Sequence, residues 1–143
     1  MVMSNTLERL VIMNITALEH IYLTHYKKER KNKMAIVKMI FDDRDVPMTW
    51  HEVESFQIIF GQDKGTASIT SYSNGRTRYK ETQTKGDGNS SADFSISRVS
   101  VPLTFNGELT LANIEKALLQ TDYFKGGERQ VYNSQSGRGE KVE

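Results

Sequence analysis

Cysteine is absent from this 143-residue chain. That excludes a disulfide framework, a thiolate zinc site and a cysteine nucleophile. Proline occurs twice and tryptophan once. No apolar run approaches the roughly 18 residues of a membrane span. The first residues lack the basic, apolar, small-residue order of a secretory signal, and no G-x-S-x-G nucleophile elbow is present. Charge of one sign is not in excess either: 19 basic residues meet 18 acidic ones, a net +1. With 37% hydrophobic and 26% charged residues, the chain is polar for a globular protein but too apolar for wholesale disorder. Its length is that of one domain. The expectation is a cytoplasmic protein (host cytoplasm or virion if phage-encoded) without membrane contact or cofactor.

The balanced charge hides an asymmetry. Residues 1–33 carry six basic residues (Arg9, Lys27, Lys28, Arg30, Lys31 and Lys33) against three acidic ones, a net +3, and residues 34–143 carry a net −2. A short basic run such as Lys27–Lys33 can hold nucleic acid by phosphate attraction, or can simply be the solvated end of a helix, where cations complement the dipole. The same run, KKER before Met34, also has the purine-rich coding expected of a translated ribosome-binding site. Met34 is then a candidate start in a compact prokaryotic or phage genome, and the coding DNA tests this.

The expected fold class is α+β: an N-terminal amphipathic helix, an antiparallel sheet or small barrel of about five strands, a C-terminal helix and a mobile tail. Over 5–31 the spacing predicts a helix, with capping pairs at Asn5/Glu8 and Thr16/Glu19. Its apolar residues fall three and four apart in one stripe. Ile15, Leu18, Ile21, Tyr22 and Tyr26 of that stripe are candidates for self-association. The β-branched residues at 11, 12 and 15 leave open a strand over 10–15 followed by a helix. Ala35–Phe41 is a nearly continuous apolar run and reads as a buried strand. Val53–Phe60 alternates as a strand, although Trp50, Val53, Phe56 and Phe60 also fit a helical period. Thr66–Tyr72 alternates clearly.

Asn74-Gly75 is a strong hairpin signal, so Arg76–Gln83 is expected to return as the third strand of a meander. Residues 84–92 read as a Gly/Ser-rich loop, because Gly86-x-Gly88 lacks the context of a phosphate-binding loop. Asp93–Phe105 reads as a long strand needing a bulge near Ser97-Arg98 to bring Phe94 and Ile96 onto the face of Val99 and Val101. Pro102 suggests a sheet edge. Thr110–Thr121 reads as a helix. Residues 125–143, with four glycines, read as a flexible tail. The expected units are thus a helical extension over 1–33, an α+β domain over 34–124 and the tail.

Chemistry-bearing residues are sparse. Asp42, Asp43 and Asp45 have the oxygen chemistry for Mg²⁺ and, with Glu52 or Glu54 and Lys80, would make a metal-dependent hydrolase; aspartates at a strand end are also common turn formers. His20 and His25 are five apart, off the spacing of paired helical ligands, and His51 beside Glu52 is a general base by residue type alone. If Arg76–Gln83 is a strand, Arg76, Arg78 and Lys80 share one face at about 7 Å spacing, a cation row that could follow a phosphate backbone. Arg98 would extend it, and Tyr72 and Tyr79 could stack on bases. Basic residues also protect an edge strand from unwanted pairing. The leading expectation is a non-catalytic interaction or assembly module, of the kind found among phage or mobile-element structural and accessory proteins, binding a protein partner or itself as a homo-oligomer. The alternatives are a nucleic-acid-binding protein using the basic strand and a metal-dependent hydrolase; no metal ligand set is assigned.

Overall fold

The computed structural model describes residues 34–59 and 61–142. The helix expected over 5–31, its self-association stripe (Ile15, Leu18, Ile21, Tyr22, Tyr26) and Lys27, Lys28 and Arg30 lie outside the described residues. Among the described residues the order is β1 (Met34–Phe41), β2 (Pro47–Ile58), β3 (Lys64–Tyr72), α1 (Gly75–Gly86), β4 (Ser97–Thr104), α2 (Leu111–Leu118), β5 (Glu128–Asn133) and β6 (Arg138–Lys141). The six strands form one open sheet in the order β4-β3-β2-β1-β5-β6, and every neighbouring pair is antiparallel. The α+β class is as expected. The sheet does not close into a barrel, and it has six strands rather than about five.

Turn chemistry sets the β1–β2 hairpin. Asp42 Oδ1 accepts the backbone N–H groups of Arg44 at 2.8 Å and Val46 at 2.9 Å, and Asp45 takes a left-handed φ of 64°, which Asp tolerates better than most residues. Pro47 opens β2, where its missing donor costs little. The strand expected over Val53–Phe60 is present over 53–58, and β2 begins six residues earlier, at Pro47; Phe60 lies outside the described residues. A register shift between Val53 and Ser55 marks a bulge, which is why its alternation was hard to read.

The two faces of the sheet differ. Ile36, Val53, Phe56, Ala67, Ile69, Val101 and Leu103 face Leu111, Ile114 and Leu118 of α2 and the fully buried Phe124. Thr110 caps α2, its hydroxyl accepting the Asn113 N–H at 3.1 Å. Each α2 anchor contributes up to about 1.5–3 kcal/mol by burial. On the opposite face Ala35, Trp50 and Tyr72 form a smaller cluster with Val37 and Tyr132, and α1 lies against it.

Three expectations are corrected. Arg76–Gln83 is not a returning strand but the body of α1. Asn74 has an extended φ of −164° instead of the positive φ of a hairpin turn, and its side chain accepts the Thr77 N–H at 2.9 Å, capping a helix. Asn serves both turns and N-caps, and tertiary packing decides between them: a Cβ at Gly75 would stand 3.0 Å from the Trp50 and Tyr132 rings, so the helix start fits closely on the sheet. Second, the long strand over 93–105 is shorter. β4 starts at Ser97 and pairs with β3 without a register break, so no bulge is needed; Phe94 lies outside the strand and is 39% exposed. Pro102 does lie on an edge strand. Third, residues 125–143 are not a loose tail. They supply β5, which pairs with β1, and β6, which pairs with β5. Glycine content suggested mobility, but Arg129 of β5 is buried against Glu115 of α2 at 2.9 Å.

Candidate interaction surface around helix α1

The underside of α1 is a buried charge network. Arg78, 8% exposed, stands between Glu52 of β2 at 4% and Glu81 of its own helix at 2%. Its Nε donates to Glu52 Oε1 at 2.8 Å, and one terminal nitrogen donates to Glu81 Oε2 at 2.7 Å. Trp50 Nε1 donates to the other Glu52 oxygen at 2.8 Å, and the Tyr72 hydroxyl donates to Glu81 at 3.0 Å. Glu81 Oε1 also accepts the Phe94 backbone N–H at 2.6 Å, tying the connection after α1 to the helix. Burial, then the Glu52 and Glu81 charges, drives the Tyr72 hydroxyl far above the usual phenol range, so it stays a donor.

These contacts are packing, and they dissolve the expected cation row. On a helix, residues two apart point in nearly opposite directions, so Arg78 is turned into the protein while Arg76 and Lys80, one turn apart, are exposed. Tyr79 sits on the shoulder of α1 and stacks on Tyr132 of β5, with centroids 5.2 Å apart and planes at 30°. Trp50 meets Tyr132 edge-on at 6.3 Å. Arg98, on β4, does not join Arg76 and Lys80: it pairs with Asp93 at 3.2 Å and Glu54 at 3.6 Å. Asp93 is held down to about 2, first by the Ser95 hydroxyl and backbone N–H, then by Arg98.

No protein-family model matches this chain, and comparison with curated proteins and with solved structures yields no match.

The aspartates considered for metal binding serve the β1–β2 turn. Besides its two backbone bonds, Asp42 accepts the Arg44 guanidinium at 2.7 Å and 3.0 Å; the Val46 N–H first, then the Arg44 side chain and N–H, hold its carboxyl below the usual range. Among the described residues, no three His, Asp or Glu side chains are grouped to hold a metal ion. His51 is 1% exposed. Its Nε2 donates to the Lys38 carbonyl at 2.8 Å and its Nδ1 accepts from Ser71 Oγ at 2.7 Å, the tautomer that satisfies both partners. His51 is thus a packed core histidine on the α2 face, against Phe124. No helix among the described residues is long and apolar enough to cross a membrane.

Sequence reasoning missed Tyr132 and Glu81. Tyr132 stood in a stretch dismissed as tail, and Glu81 was placed on a strand. Once 75–86 is read as a helix, the i, i+3 spacing of Arg78 and Glu81 is the signal that pairs them.

Proposed function

We propose that the chain acts by contact rather than by chemistry, as a non-catalytic interaction or assembly module whose partner is another copy of itself. The observation that carries this is Met39 and Phe41 on β1, which are 55% and 58% exposed. Both lie at the end of β1, beside a turn that Asp42 ties down, so this apolar strand end is held in place and costs little entropy to bind. The buried ionisable groups support the same reading, because Arg78, Arg129 and His51 are each engaged inside the fold.

Light scattering at two concentrations tests it, on the full chain, on a chain beginning at Met34 and on Met39→Ser/Phe41→Ser. A mass that rises with concentration and falls to the monomer in the double variant supports assembly through β1. An oligomer that survives the double variant but is lost without residues 1–33 moves the contact to Ile15, Leu18, Ile21, Tyr22 and Tyr26. A monomer in all three forms refutes self-association.

A further inference from the structure

We propose that the outer surface of α1, with the adjoining rim of β5 and β6, binds single-stranded nucleic acid. This goes beyond self-association and uses residues other than Met39 and Phe41. The helix carries one acidic residue, Glu81, and it is turned inward and engaged by Arg78 and Tyr72. The outward side of α1 therefore presents Arg76 and Lys80 with no anion of the helix beside them. Their Cα atoms are about 6 Å apart along the axis, on the scale of one step of an extended nucleotide chain. Lys141 of β6 is exposed. It pairs with Gln130, two residues from Tyr132 on β5, so strand alternation places it on the same side of the sheet as Tyr132 and α1.

Tyr79, next to Lys80 in the helix, stacks on Tyr132 of β5, and both rings are half-buried. Cations that track a backbone beside aromatic rings that accept a base face are what sequence-tolerant binding to single strands requires. A duplex offers its bases already stacked, so the tyrosines favour an unpaired strand. Residues 34–143 carry a net −2; the attraction is local to this surface and is expected to be sensitive to salt.

Fluorescence anisotropy of a labelled oligo-dT 20-mer, titrated with the full chain at several salt concentrations, tests the proposal. Binding at low salt is expected. Arg76→Ala/Lys80→Ala should weaken it and lower the log–log salt slope by about 1.4, at roughly 0.7 per cation on a single strand. Tyr79→Leu should weaken it about tenfold with the slope unchanged, and Tyr79→Phe should bind like the parent. Circular dichroism of each variant separates lost binding from lost fold. The proposal is overturned by absence of binding at low salt, by a double variant with unchanged slope, or by a duplex competing as well as oligo-dT. It is equally overturned if Lys27→Ala/Lys28→Ala/Arg30→Ala abolishes binding while Arg76→Ala/Lys80→Ala leaves it intact.

Discussion

Replacing Arg78 by methionine keeps much of the side chain's volume and removes its charge. The guanidinium makes bonds of 2.8 Å to Glu52, 2.7 Å to Glu81 and 3.1 Å to Thr82, and it lies 5.4 Å from the centroid of the Tyr72 ring. Two nearly buried carboxylates then lose the cation between them, and Lys85, 3.8 Å from Glu81 and 45% exposed, compensates only in part. Breaking a buried pair from one side costs about 3–5 kcal/mol, which in a domain of this size lowers Tm by about 10–15 °C. Urea unfolding followed by the fluorescence of Trp50, the chain's single tryptophan, and by circular dichroism measures the loss. Adding Glu52→Gln should recover part of it. A loss below about 1 kcal/mol, the range of exposed pairs, refutes the assignment of Arg78 as a buried partner of two acids.

Asn74→Ala removes the cap of α1 and should cost about 1 kcal/mol, while Asn74→Ser keeps most of it; equal urea midpoints for the Ala variant and the parent would show that the cap contributes nothing. Burial, opposed by the Lys38 carbonyl bond, holds His51 below the ordinary imidazole value. The unfolded chain therefore takes a proton near pH 6.5 that the folded chain resists, and stability is expected to fall as pH drops below about 6.5. His51→Gln should flatten that part of the urea-midpoint profile between pH 7.5 and 5.5; an identical slope in variant and parent rules His51 out as its source.

What was legible in the sequence is what depends on neighbours along the chain. The apolar run 35–41, the alternation of 66–72 and the helical stripe within Thr110–Thr121 each carry their own periodicity, and all three elements are present, the helix ending at Leu118. Pro102 at an edge is legible because a missing N–H is a local fact. Asn74-Gly75 misled because the dipeptide suits both a hairpin and a helix start, and the choice lies with Trp50 and Tyr132, 24 and 58 residues distant in number. The same holds for Glu52 and Arg78, 26 residues apart: as separate residues they suggested a metal ligand and a phosphate contact, and together they neutralise each other. The last strands hid behind their composition, since glycine and charge describe an edge hairpin as well as a tail.

The pairing of β1 with β5 has a consequence during synthesis. Val37 and Glu128 are register partners 91 residues apart. At about 5–20 residues per second, roughly 5–20 s pass between the synthesis of Val37 and that of its β5 partner, while β2, β3 and β4 are added in turn. Throughout that interval Met34–Val37 presents backbone groups that β5 will later cover, and the Glu115–Arg129 ion pair cannot close. Such an edge invites a neighbouring nascent chain, so the yield of folded protein should depend on how fast the last strands are translated.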